Sequence, residues 1–151
     1  MDAKDLTKAF DAELSGMGFR RKGKAWSNRG EAVNIFVGLQ KSSYANQYFM
    51  NVGFELREIG SSEFPEERDC HVRGRASVLF AENKINLDEL LNLGQECDAN
   101  RLEHIRQFVT ESLKPFFLEN RTMDGLRRSY KAGRFSGLMI KKEARDLLDQ
   151  R

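Results

Sequence analysis

The segments Val33-Asn34-Ile35-Phe36-Val37-Gly38-Leu39-Gln40 and Tyr48-Phe49-Met50-Asn51-Val52-Gly53-Phe54-Glu55-Leu56 decide the fold. In each, every second residue from Val33 and from Met50 is large and apolar, which is the side-chain period of a strand. With residues 43–46 as the connecting loop, Gln40 faces Phe49, Gly38 faces Asn51 and Phe36 faces Gly53. One face of this hairpin then holds Val33, Ile35, Val37 and Leu39 with Met50, Val52, Phe54 and Leu56, a core face. The other holds Asn34, Phe36, Gly38 and Gln40 with Phe49, Asn51, Gly53 and Glu55. Glycine inside a strand marks a bulge or a close approach of other groups, so Gly38 and Gly53 lower this second face locally.

Working outward, residues 26–28 and the turn Arg29-Gly30 lead into Val33, which makes a first hairpin ahead of the central one. Residues 58–69 form a polar, partly acidic loop with Pro65. Residues 71–80 read as a further strand, with His71, Arg73 and Arg75 alternating against Val72, Gly74 and Ala76. On a strand, those three side chains leave one face at intervals of about 6.6–7 Å. The flanks are helical. Asp2 caps a helix over 3–17 striped by Leu6, Phe10, Leu14 and Met17. Asn86 heads a short helix closed by Gly94. Asp98 heads a long one carrying Leu102, Ile105, Val109, Leu113 and Phe116, which Pro115 kinks or ends. Thr122 caps another, and Ile140, Ala144, Leu147 and Leu148 stripe the last.

The expected architecture is α+β. An antiparallel sheet of about four strands (two consecutive hairpins plus the strand over 71–80) is packed on one face by the N- and C-terminal helices. Residues 1–134 are expected as a single domain, with 135–151 a C-terminal helical appendage of it. The length of 151 residues fits one domain, and two cysteines exclude a disulfide scaffold. No apolar run approaches the roughly 20 residues that span a bilayer. The start Met1-Asp2-Ala3-Lys4-Asp5 has no apolar signal core, so a cytoplasmic protein without membrane contact is expected.

The net charge of +2 conceals a gradient: +2 over residues 1–60, −5 over 61–100 and +5 over 101–151. Arg121, Arg127, Arg128, Lys131, Arg134, Lys141, Lys142 and Arg145 make the C-terminal excess, and Arg20, Arg21, Lys22 and Lys24 make a second basic run. Such runs meet phosphates or acidic proteins, although the commoner case is the solvated face of ordinary helices.

Four pieces of sequence stand in a telling order: Gly18-Phe19-Arg20-Arg21-Lys22-Gly23-Lys24-Ala25-Trp26, then Gln40-Lys41-Ser42, Asn51-Val52-Gly53 and Cys70-His71-Val72-Arg73-Gly74-Arg75. Their order and spacing resemble the bacterial family catalogued as domain of unknown function 4304, over roughly residues 5–118. The resemblance implies a compact α+β domain and a shared polar pattern, with no activity attached.

Beside the central hairpin, the strand over 71–80 brings Gln40, Asn51, His71, Arg73 and Arg75 onto one sheet face edged by Phe36 and Phe49. Arginine forks suit carboxylate or phosphate, and the amides add neutral donors and acceptors. The ordinary alternative pairs Arg73 and Arg75 with Glu55 or with acids of the 63–69 loop. Other chemistries have less behind them. Cys70 and His71 are adjacent and point apart on a strand, so they make neither a nucleophile–base pair nor a zinc site, and no metal is expected. No P-loop, nucleophile elbow or dinucleotide glycine motif is present, so no cofactor is implied.

The first expectation is therefore a non-enzymatic recognition module that binds an anionic ligand or protein partner through Gln40, Asn51, His71, Arg73 and Arg75. The second is nucleic-acid binding by the basic C-terminal helices. The third is an enzyme acting on a phosphorylated or carboxylated small molecule, with His71 as acid or base.

Overall fold

In a computed structural model, residues 1–95 and 100–150 are described; the cap expected at Asp98, and Cys97, lie outside them. β3 (Val33–Lys41) runs antiparallel to β4 (Tyr48–Leu56), with Gln40 opposite Phe49, Gly38 opposite Asn51 and Phe36 opposite Gly53, the register read from the sequence. β1 (Arg20–Lys22) and β2 (Ala25–Asn28) extend the sheet on one side, and β5 (Val72–Arg75) and β6 (Met139–Ile140) on the other. The spatial order is the chain order, and every neighbour is antiparallel.

The sheet thus has six strands rather than four. β1 consists of three exposed basic residues, and β6 has only two residues, so neither carries an apolar period. The strand expected over 71–80 ends at Arg75, and Ala76–Leu79 turns into the short helix α2. Ala76 and Phe80 lie one helical turn apart, so the same apolar residues serve either period. The helical turn buries both and leaves Val78 48% exposed, whereas a strand would have pointed Val78 inward.

The helices cover the Val33–Leu56 face. Asp2 caps α1 (Ala3–Ser15) by accepting from the Asp5 N–H, and Leu6, Phe10 and Leu14 are fully buried. A short helix, α3 (Leu87–Leu90), capped by Asn86, follows. A long helix then crosses the sheet as α4 (Arg101–Phe108), a π-helical segment at Val109–Leu113, and α5 (Lys114–Asn120). Pro115 lacks an N–H and its ring crowds the carbonyl four residues back; the wider π turn just before it lets the helix continue instead of ending. Ile105, Val109, Leu113 and Phe116 are buried, but Leu102 faces outward, 58% exposed.

Phe54 is the centre of the core. Its ring meets those of Phe116, Phe135 and Phe117 at centroid distances of 5.7, 6.0 and 6.4 Å. Tilted and edge-on arrangements of this kind add to area burial. Thr122 caps α6 (Met123–Lys131) through the Gly125 N–H, and α7 (Lys142–Asp149) packs against it. Residues 135–151, expected as an appendage, contribute Phe135 to the core and β6 to the sheet.

The second sheet face is covered too. The segment 57–71 folds back across it from one edge to the other. At β1, Arg20 donates to the Glu63 carbonyl at 3.2 Å and Lys22 lies 5.8 Å from the Phe64 ring. In the middle, Ser62 bonds Glu55 through its N–H and its hydroxyl, at 3.2 and 2.7 Å. Toward β6, Lys141 donates to the Arg68 carbonyl at 3.0 Å. Gly53 allows this approach: a Cβ there would meet Cys70 Sγ at 2.6 Å and Cβ at 2.7 Å.

Gly53→Val is therefore expected to overpack this contact and lower the unfolding free energy by about 1–3 kcal/mol in a urea titration. In a Cys97→Ser background, it should also speed modification of Cys70 by a disulfide reagent. Unchanged stability with an inert thiol would show that the segment does not rest on Gly53.

Candidate functional site

Covering by 57–71 divides the second face into a sealed part and an open corner. In the sealed part, Glu55 is 2% exposed and accepts from Asn34 Nδ2 at 2.9 Å as well as from Ser62. A carboxylate this deep is tolerable only with its lone pairs occupied, and these contacts supply that. Cys70 is fully buried beneath the segment, and burial, with Glu55 next in weight, pushes its thiol far up; at neutral pH it is a thiol.

His71 belongs to the sealed part. Its ring is buried, and Nδ1 accepts from the Leu56 N–H at 2.9 Å, which fixes the proton on Nε2 in the neutral ring. Burial, with Lys141 adding to it, lowers its pKa below the usual 6.5. It sits away from the other sequence-selected residues, as a neutral group holding a backbone N–H.

The open corner lies where β3 and β4 approach their connecting loop. Asn51 Nδ2 donates to Gln40 Oε1 at 2.8 Å, and Gln40 is exposed. Arg75 is opposite Asn51 in the β4–β5 register, and its guanidinium lies 3.9 Å above the Phe49 ring. Stacked this way, the planar group keeps its edge N–H donors directed outward. Among the described residues, Arg75 has no carboxylate partner. Arg73 is held differently, by the Glu67 carbonyl and the Met139 sulfur, both at 3.5 Å. A shallow cavity of about 330 Å³ adjoins Gln40 and Asn51, floored by Phe36 and Gly38 and rimmed by Lys24 and Glu67. Glu67 Oε2 reaches Asn51 Nδ2 at 3.4 Å. The structure thus brings Gln40, Asn51 and Arg75 together, sets Arg73 beside them, and separates His71.

Part of each basic run is used within the fold. Arg127 meets Asp124 and the Leu147 carbonyl, Lys131 the Gln150 carbonyl, and Lys141 the Arg68 carbonyl. Arg134 stacks 4.5 Å from the Phe116 ring. In the N-terminal run, Arg21 pairs with Asp11 at 3.7 Å. Among the described residues, no cluster of three or more His, Cys, Asp or Glu is placed to hold a metal ion, and no helix is long and apolar enough to cross a membrane.

The family described as a domain of unknown function, DUF4304, matches residues 10–119. The chain belongs to the DUF4304 family. No curated protein and no solved structure matches it. The matched region of this DUF4304 chain includes Gln40, Asn51, His71, Arg73 and Arg75 and ends before α6, β6 and α7.

Sequence reasoning did not single out Lys24 or Glu67 at the corner. Lys24 sits at the tight turn between β1 and β2, and Glu67 on a single turn of 3-10 helix at Glu67–Asp69. Glu67 reaches the corner from a turn whose direction no side-chain period encodes, whereas Lys24 only borders it, its ammonium lying 6.0 Å from the Tyr48 ring on the helix-covered face. Phe49 was visible as an edge aromatic, but its stacking on Arg75 depends on how β5 pairs with β4.

The buried neutral His71 gives a signed pH effect. Well above the ordinary value of 6.5, the ring is neutral in both folded and unfolded chains and nothing is lost. As pH falls through that value, the unfolded chain takes up a proton that the folded ring still refuses, so stability declines. His71→Asn keeps an acceptor for the Leu56 N–H and removes the titration. Urea titrations between about pH 7.5 and 5.5 should show a smaller loss of stability for His71→Asn than for the wild type. Equal slopes would mean that His71 is not held neutral.

Proposed function

We propose that this protein is a recognition module that binds a carboxylate-bearing polypeptide partner through the corner formed by Gln40, Asn51 and Arg75. The observation that carries the reading is Arg75: a guanidinium laid on Phe49 without a carboxylate partner among the described residues. Stacking fixes its plane, so little side-chain freedom is lost when a carboxylate takes the paired donors. Beside it the exposed Gln40 offers its Nε2 to a peptide backbone, while the buried Asn51 spends its Nδ2 on Gln40 Oε1 and Glu67 Oε2 and so holds that amide in place. Glu67 against the Asn51 amide is an internal example of the chemistry such a partner would use.

A polypeptide is put ahead of nucleic acid because part of the C-terminal basic run is tied down inside the fold, Arg127 by Asp124 and the Leu147 carbonyl, Lys131 and Lys141 by carbonyls, and Arg134 by the Phe116 ring. Catalysis has less support, since His71 and Cys70 are both buried and His71 Nδ1 is occupied by a backbone N–H.

The test is fluorescence anisotropy with labelled Asp/Glu-rich peptides, with Lys-rich peptides of equal length as controls. Wild-type protein is expected to bind the acidic set, and Arg75→Ala to bind at least about tenfold more weakly, which is about 1.4 kcal/mol. Thermal unfolding should be nearly unchanged, because Arg75 is partly exposed. Acidic peptides that bind Arg75→Ala as well as wild type, or that do not bind at all, would overturn the reading.

A further inference from the structure

On the helix-covered side of the sheet, a second cleft opens between the turn that joins β2 to β3 and the outer face of α5. Its volume is about 470 Å³, within the range of small-molecule sites. Its floor is apolar: Phe19, Val33, Ile35 and Phe117, with the Phe19 and Phe117 rings 5.5 Å apart.

Both walls are set by the fold. On one side, the residue 29–32 turn is pinned from three directions. Gly30 N–H donates to Asn34 Oδ1 at 3.2 Å. Arg57 reaches the Gly30 carbonyl at 2.8 Å, and its N–H reaches the Ala32 carbonyl at 2.9 Å. A Cβ at Gly30 would meet the Val33 carbonyl oxygen at 2.5 Å, so the turn closes tightly on itself. On the other side, Lys114, Phe117, Leu118 and Arg121 recur at the helical spacing that places them on one face, and all four line the cleft. The π segment that Pro115 imposes lies directly before Lys114 and sets which face of the following helix turns toward the cleft.

The charge at the mouth is one-sided. Arg29, Lys114 and Arg121 line it with a single acid, Glu31. All four are exposed, and among the described residues none of their side chains has a hydrogen bond or ion pair. An excess of two positive charges above an aromatic and aliphatic floor matches a ligand with an apolar body and one anionic end.

We propose that this cleft binds a small amphipathic carboxylate, its acyl or aryl body on Phe19, Val33, Ile35 and Phe117 and its carboxylate at Lys114 and Arg121. This is independent of the Arg75 corner, which lies on the opposite face of the sheet. The probe is decanoate, with decanol and decylamine as the neutral and cationic matches. Binding is followed by calorimetry and by amide chemical-shift changes in the full chain.

Decanoate is expected to bind saturably at one site, ahead of decanol, with decylamine weakest, and to shift amides of Phe19, Val33 and Phe117. Lys114→Ala with Arg121→Ala should weaken decanoate about tenfold and decanol little. Both positions are exposed, so the double variant should fold; an unchanged amide spectrum elsewhere checks this. Arg75→Ala should bind decanoate like wild type, which separates failure here from failure at the corner. No saturable binding, shifts confined to other regions, or decanoate affinity equal in wild type and the double variant would each overturn the proposal.

Discussion

The nine-residue pairing of β3 with β4 is the constraint on which the rest depends. Most residues of both strands are buried, and they are buried on two unlike faces. A slip of one residue would exchange those faces. Asn34 and Glu55 would then point into a core built on Phe54, Phe116 and Phe135, while Ile35 and Val52 would lie under a segment offering Ser62 and Glu67. Burying a carboxylate in that core without partners would cost several kcal/mol, comparable with the whole stability of a domain this size. The helices and the 57–71 segment can settle only on the register that separates the faces.

That register was legible because it rests on side-chain period, turn length and the chemistry of single residues such as the caps Asp2 and Thr122. The elements that were not legible share a different physical origin. β1 and β6 exist because an edge strand already in place offers unpaired N–H and C=O groups to any chain passing beside it. Arg20, Arg21 and Lys22 carry no pattern of their own. Ala76–Leu79 is helical because Phe80 gains more by meeting the rings of Phe108 and Phe116 than by continuing a strand. His71 shows the same limit at the level of a site. Alternation placed it with Arg73 and Arg75, but 57–71 closes over it, and its ring satisfies the Leu56 N–H. Period tells which face a residue leaves from; what covers that face is decided by distant chain.

The charge gradient acquires a physical meaning in the fold. The acidic segment 57–71 lies across a sheet whose edges are basic, yet several of the contacts run to backbone carbonyls, of Glu63, Glu67 and Arg68, rather than to carboxylates. A carbonyl satisfies a cation's donors without cancelling its charge. Basic residues can therefore hold the segment in place while the molecule keeps a positive field at particular points, and a net charge of +2 conceals where those points are.

The two places where that field is uncompensated differ in dielectric surroundings, and this assigns them different kinds of ligand. Arg75 is partly exposed, and the cavity beside it at Gln40 and Asn51 is shallow, so solvent and salt screen its charge. An interaction there gains specificity from geometry, the planar fork beside paired amides, and needs further contacts from a larger partner for affinity. At the cleft between α5 and the residue 29–32 turn, the cations stand over Phe19, Ile35 and Phe117, where water is replaced by apolar walls once a ligand enters. A single charge is worth more against such walls, and the apolar body supplies the burial. The same rule of opposite charges thus favours a polypeptide on one face and a compact amphiphile on the other, because the β3–β4 register made one face polar and the other a phenylalanine core.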